Sequence, residues 1–425
     1  MSLRFKISLA LTLSLSSIVN AQDSLDAWFN EAKSFDHDYL AAKHQLNQAT
    51  HAYDQATGQS LPHLTLSGQH SDLNITTHYQ SDQATATITE TLRPSNIYRQ
   101  YAAGSKQHHA SLGLQIAEQR LITELLKKYF KALYHANALK VAESSVLFWS
   151  EMYRLNSKKY EAGLVSKEFL LNTETAYQQA IVKKNLFHHQ NLIAKQALER
   201  LIGRRIQHTI YLSKIDQWIN NNHVIPLSEA LLILPNTWLA SQLTDHKEQF
   251  KHLWQAQQSE RLPYLSVSAY HQDTQYYGDK GSLTNAHGLG AQVAIQWPLF
   301  SGGSQTAATS IAQDQYTQSK ENESYHRYQL QQQLEALYSQ RQVDMDTINA
   351  FNIAKQASQE ALKIAQEKYS SDLVSISYVL DNQKEFDQVQ LDLMGAKLNY
   401  LETALDIQFM LNSLDENTLS AYDFA

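Results

Sequence analysis

Two stretches of this chain are too long for an ordinary globular domain. Residues Asn96 to about Glu161, and about Gln305 to Tyr369, contain no proline, and Gly104 and Gly113 are the only weak points of the first. A helix of about 65 residues is roughly 100 Å long at 1.5 Å per residue. No single core accommodates such a rod, so the helices must lie side by side as a coiled bundle. Their apolar positions, such as Leu121, Ile122, Leu125, Tyr129 and Leu133, keep three- and four-residue steps. Gln, Ala and Ser interrupt the stripe, which suits helices with one face on a neighbour and another on water.

The chain also repeats itself. Leu61-Pro62-His63-Leu64 opens a strand, and Leu262-Pro263-Tyr264-Leu265 repeats the pattern. About a hundred residues after each comes a second echo, Lys159-Tyr160-Glu161-Ala162-Gly163-Leu164-Val165-Ser166 and then Lys368-Tyr369-Ser370-Ser371-Asp372-Leu373-Val374-Ser375. A period of roughly 200 residues is too long for a solenoid unit. It implies two similar halves, residues 22–226 and 227–414, followed by a loose tail over 415–425. The fold class is mainly α with a small β part.

Each half carries a short β part. In the first, a helix over residues 23–57 closes at Gly58. Strands follow from Leu61 to about Asn74 and from Gln83 to Leu92, with a polar loop around Thr77 to Asp82 between them. Residues 204–222 read as irregular, and a helix from Leu227 is interrupted at Pro235. In the second half the strand from Leu289 has the clearest period of two. Leu289, Ala291, Val293, Ile295, Trp297 and Leu299 share one face, and Gly288, Gly290, Gln292, Ala294 and Gln296 the other. Four strands cannot close a membrane barrel, whose smallest members use about eight. An open sheet has exposed edges, and repetition across subunits removes them. Strands of about ten to thirteen residues suit a tilted crossing of a bilayer.

The first residues read as a secretory signal over 1–21: Arg4 and Lys6, an apolar stretch from Ile7 to Val19, then the small-residue exit Val19-Asn20-Ala21. Cleavage there would leave 33 basic against 42 acidic residues, a net charge of −9. That balance argues against nucleic acid as a partner. Cysteine is absent, so neither disulfides nor a thioether lipid anchor is expected. The paired histidines His108-His109 and His188-His189, and His246 with His252, lack the i, i+4 spacing with a carboxylate that zinc uses. No nucleophile elbow, phosphate loop or catalytic cysteine stands in the chain, so neither an enzyme, a metal site nor a cofactor is expected.

The strand openers, the strand exit Pro298-Leu299-Phe300-Ser301-Gly302-Gly303 and the two corners around Gly163 and Asp372, in this order over nearly the whole chain, resemble the TolC-type outer membrane efflux family. The resemblance implies a homotrimer with four transmembrane β-strands per chain, one twelve-stranded barrel in outer membrane lipid, and a long antiparallel helical coiled-coil tunnel reaching into the periplasm of a Gram-negative bacterium. It implies an exit duct for a tripartite efflux pump or a type I secretion system. Residues 204–226 would belong to a belt around the tunnel. Gly163, Leu164, Val165, Asp372, Leu373 and Val374 would form helix tips where a periplasmic adaptor and an inner membrane pump engage. Asp381 would stand at one acidic position of a pore constriction, with Tyr378 at the other, so a double acidic ring would be single. Asp372 replaces a typical glycine, Val374 stands where a better-known member has an arginine, and Asn96-Ile97-Tyr98-Arg99 replaces the usual phenylalanine–glycine exit.

Two readings differ in class. One is the trimeric duct; the other is a soluble periplasmic coiled-coil adaptor or scaffold. The alternating strand at Leu289–Leu299 speaks against the second. Trp297 and Phe300, with Tyr264, Tyr276 and Tyr277, fit either an interfacial aromatic girdle or a core between strands and helices.

Overall fold

A computed structural model of the chain describes residues 24–74, 78–206, 215–221, 225–278, 285–371, 373–415, 419 and 422. The expected signal segment lies outside the described residues. Its elements are α1 (Leu25–Phe35), α2 (His37–Gly58), β1 (His63–Asn74), β2 (His78–Leu92), α3 (Pro94–Glu161), α4 (Lys167–Ile202), α5 (Ile215–Asn221), α6 (Leu227–Ile233), α7 (Trp238–Ser259), β3 (Tyr264–Gly278), β4 (Ala286–Gln296), α8 (Ser304–Ser370) and α9 (Ile376–Met410). Among the described residues, no helix is long and apolar enough to cross a membrane. The chain divides into two compact units. Residues 1–41, 115–237 and 329–425 make the first, and 42–114 and 238–328 the second.

The long rods appear as expected. α3 holds 68 residues and α8 holds 67. Pro94 stands at the first position of α3, where its missing N–H costs nothing. Ser166 caps α4, its Oγ accepting from the Phe169 amide at 3.2 Å. Gly203 ends α4 at φ +83°, in the left-handed region glycine tolerates best.

The helical unit has its main core where α1, α3, α4 and α9 meet. Trp28, Phe29, Leu125, Leu126, Leu198, Tyr400 and Leu401 are all buried there. Fully burying each such side chain contributes about 1.5–3 kcal/mol. Ion pairs frame this core: Lys33 with Glu118 at 2.6 Å, Arg204 with Glu31 at 2.7 Å and Lys127 with Asp406 at 2.7 Å.

Four expectations need correction. The helix over 23–57 is two helices, because Asp36 ends one and starts the next. Its amide donates to Ala32 O at 2.8 Å, and its Oδ1 accepts from the Tyr39 amide at 2.7 Å. An aspartate can cap a helix without any glycine or proline to announce it. The segment 204–226 is not wholly irregular, since it contains α5, and Ile206, Ile215 and Ile219 enter the core. The tail 415–425 is not loose where it is described. Leu419 and Tyr422 are buried, and the Tyr422 ring packs against Phe130 and Trp218. Finally, β2 begins at His78, inside the expected loop. Polar cross-strand pairs extend the ladder there: His70 Nδ1 lies 2.6 Å from Asp82 Oδ1, and Gln80 Nε2 donates to Asp72 Oδ2 at 3.0 Å.

In the second unit the helices pack through small residues. Ala49, Ala56, Ala102, Ala240 and Ala256 are buried, and Gly104 leaves room for the Tyr53 ring. Polar links supplement them. Gln107 Nε2 donates to Thr50 Oγ1 at 3.2 Å, and His108 Nδ1 lies 2.6 Å from Asp245 Oδ2. Glu323 bonds Lys247 at 2.9 Å and Arg327 at 3.0 Å. Burial opposes ionisation of Glu323, yet these hydrogen bonds outweigh it and hold its carboxyl below the usual range. An alanine- and glutamine-rich stripe is therefore what these helices need, which explains the interrupted apolar pattern.

Candidate functional site

The four strands form one antiparallel sheet in the order β1-β2-β3-β4. The ladder sets which residues share a face. Leu64, Ile88, Ala269 and Ala291 line up across all four strands, as do Leu66, Ala86, His271 and Leu289. These rows are mostly aliphatic and bare, Leu66 being 82 % and Leu289 87 % exposed; farther along the strands the same face turns polar, with Asp72, Asp82 and Asp273. The opposite face aligns Thr65, Thr87, Tyr270 and Gly290 in one row and Ser67, Thr85, Gln272 and Gly288 in the next. β1 and β4 each have one side with no partner strand among the described residues.

An apolar face in water would be a large aggregation liability. With 12, 15, 15 and 11 residues, the strands have the length a bilayer crossing requires. The aliphatic row continues past β4 through Trp297 and Leu299, and Trp297 is 62 % exposed. Its indole N–H donates to Arg261 O at 3.1 Å. Trp297 and Phe300 are thus exposed rather than core residues, which fits an interfacial girdle. Tyr277 is exposed, whereas Tyr264 and Tyr276 are half-buried.

The two helix corners of the first unit are built alike. After α3, the Leu164 amide donates to Lys159 O at 2.8 Å and the Gly163 amide to Tyr160 O at 2.9 Å, with Gly163 at φ +72°. After α8, the Leu373 amide donates to Lys368 O at 2.9 Å. Both are the closing bonds of a helix that ends in a tight reversal. Leu164 and Leu373 are each 74 % exposed, and Val165 and Val374 are half-buried. Asp372 lies outside the described residues.

Beneath these corners, Trp149, Met152, Ala176, Leu362, Ala365 and Val379 form a separate core. One buried polar residue joins three helices within it. Asn156 of α3 donates through Nδ2 to Thr173 Oγ1 of α4 at 3.0 Å, and its Oδ1 accepts from the Tyr369 hydroxyl of α8 at 2.6 Å. The Tyr369 ring stacks on Phe169 at 6.2 Å, and Lys159 Nζ lies 5.2 Å from its centre. The sequence reading missed Asn156 and Thr173. The available signal was a polar residue on a three- and four-residue apolar ladder with Trp149 and Met152.

Asp381 and Tyr378 are both exposed on α9. Asp381 lines a groove of about 420 Å³ together with Lys183, Ser377, Lys384 and Asp387. Lys384, one turn beyond Asp381, adds an opposite charge to the same groove. Asp387 at its floor is buried, and burial raises its pKa above the ordinary aspartate value. Hydrogen bonds from Ser145 and Gln383 and the charge of Lys183 pull the other way without cancelling the shift.

The profile of the outer membrane efflux protein family matches residues 28–204 and 248–413. The chain is 24 % identical to the outer membrane protein TolC of Salmonella enteritidis, with 98 % of this chain and 87 % of that protein covered. It is 21 % identical to the alkaline protease secretion protein AprF of Pseudomonas aeruginosa, covering 86 % of this chain and 77 % of that one. The fold is similar to that of the open state of the MtrE outer membrane channel of Neisseria gonorrhoeae, with a TM-score of 0.79 at 16 % identity over 92 % of this chain and 90 % of that chain. The outer membrane protein VceC of Vibrio cholerae superposes with a TM-score of 0.77 at 16 % identity, over 91 % and 95 %. Sheet, corners and sequence profile agree that this chain belongs to the outer membrane efflux protein family.

Proposed function

We propose that three copies of this chain close a twelve-stranded barrel in the outer membrane and act as the exit duct of a tripartite efflux pump or a type I secretion system. The observation that carries this reading is the sheet, with exposed aliphatic rows on one face, a polar opposite face and two outer edges that no other described strand pairs. Backbone groups in hydrocarbon must all be satisfied, and only closure does that. A soluble adaptor would have no use for Leu66 and Leu289 bared to solvent. The duct does no chemistry of its own; it supplies a water-filled path, and a partner supplies the energy.

In this reading the exposed Leu164 and Leu373, with Gly163, Val165, Asp372 and Val374, form the tips that engage a periplasmic adaptor and an inner membrane pump. Asp381 and Tyr378 line the constriction. Detergent-purified protein should run as a trimer that dissociates on heating and should open aqueous pores in liposomes. A monomer recovered from the soluble periplasm that never permeabilises liposomes would overturn the reading.

A further inference from the structure

The charges of the four strands are sorted by face. The strands contain four acidic residues, Asp72, Asp82, Glu90 and Asp273, and no lysine or arginine. The register puts all four acids on the face that carries Leu64 and Leu289. Glu90 pairs with Val267, Asp82 with His70, Asp72 with Gln80, and Asp273 with Ala84 and His287. Among the described side chains, the other face holds serine, threonine, glutamine, tyrosine, glycine and alanine, with His63 at its edge as the one ionisable group besides the tyrosines.

Fixed charge is how membrane pores select by ion sign: rings of carboxylates favour cations, and rings of Lys or Arg favour anions. A wall of hydroxyls and amides has no such ring. It exchanges hydrogen bonds with a solute much as water does, and weak contacts spread over many positions let a solute both enter and leave. The Tyr270 ring lies against the sheet over Gly290, where a Cβ would come within 2.3 Å of it. Glycine there leaves room for the one aromatic ring of the row.

We infer that the barrel section of this duct passes cargo irrespective of the sign of its charge, the Ser/Thr/Gln face being a neutral lining for hydrophilic solutes, whether anionic, cationic or zwitterionic. This rests on the duct reading, in which that face encloses the water path. Charge discrimination is then the work of the helical unit, where Asp381 and Lys384 stand in one groove.

The chain has no cysteine, so one introduced thiol reports on one place. Thr87→Cys in the intact trimer, in proteoliposomes, is treated with a cationic and an anionic methanethiosulfonate reagent of similar size. Thr65→Cys, paired with Thr87 in the ladder, serves if the first variant does not fold. After correction for reaction with a free thiol, the two rates should agree within about twofold, since no fixed charge concentrates either reagent. A preference of about tenfold or more for either sign would overturn the inference while leaving the duct intact. Ile88→Cys, on the aliphatic face, should react with neither. No reaction at either Thr87 or Thr65 would instead overturn the duct reading, and the inference with it.

Discussion

The Tyr369 hydroxyl donates to Asn156 Oδ1 at 2.6 Å, and the same amide donates to Thr173 Oγ1 at 3.0 Å. One side chain thus fastens α8 and α4 to α3 just beneath the helix corners. Asn156 and Thr173 are fully buried, so a lost partner is not replaced by water. Tyr369→Phe should destabilise the purified protein by about 1–3 kcal/mol. Asn156→Ala should cost more, because it strands two partners. Thermal denaturation measures both; an unchanged midpoint in Asn156→Ala would remove this residue from the account of how the corners hold together.

Asp381→Asn should shift the reversal potential of reconstituted channels toward zero, with part of the cation preference lost. The loss is expected to be partial because Lys384 already offsets the carboxylate in the same groove. Lys384→Gln should move the potential the other way. Unchanged selectivity in both variants would take the pair out of the constriction.

Cysteines at Leu164 and Leu373 should cross-link to a periplasmic adaptor in cells. Both side chains are largely exposed at the apex of matching turns, and an exposed aliphatic pair at a corner suits a docking surface. Transport that persists without any cross-link at either position would count against tip docking.

Asp387→Asn tests a buried charge. Burial raises the Asp387 pKa, so its proton binds more tightly in the folded chain than in the unfolded one. That contribution to stability is present at acid pH and is lost as pH rises through the folded pKa. At about pH 7.5 the asparagine variant should therefore melt higher than the parent, and the gap should narrow as pH falls and the parent takes up its proton. A variant that instead melts lower at about pH 7.5, by a margin that shrinks as pH falls, would show that the hydrogen bonds of the carboxylate outweigh its desolvation.

Gly203→Ala should lower stability by about 1–2 kcal/mol, the cost of a left-handed residue with a Cβ. The Phe35 ring also lies within 2.5 Å of where that Cβ would stand. Phe35→Ala in the same chain relieves the collision and leaves the backbone strain. Denaturation midpoints of the single and double variants separate the two effects, and full rescue by the second change would refute the backbone explanation.

Much of the architecture was legible because breakers mark it. Gly163, Gly203, Pro235 and Pro298 sit where elements end, and the alternation from Leu289 to Ile295 placed β4 on its correct faces. What stayed hidden has physical reasons. Asp36 caps two helices with a side chain that is common elsewhere. The start of β2 is polar on both faces, so no alternation announces it. Asn156 looks like any helix-surface residue until its partners on α4 and α8 are known. Tyr422 belongs to a chain end whose sequence is mostly polar, and only its contacts with Phe130 and Trp218 reveal an anchor. The roles of Asp381 and the corner leucines came from resemblance, because neither an exposed aspartate nor an exposed leucine has a pattern of its own in the sequence.

The bare outer sides of β1 and β4 also constrain how the protein reaches its destination. A lone copy entering hydrocarbon would carry two rows of unmet peptide groups, each costing several kcal/mol. On the trimeric duct reading, oligomerisation and insertion are therefore one event rather than two in sequence. A copy with one spoiled seam would disable every complex that recruits it, so such an allele should be dominant over the intact one.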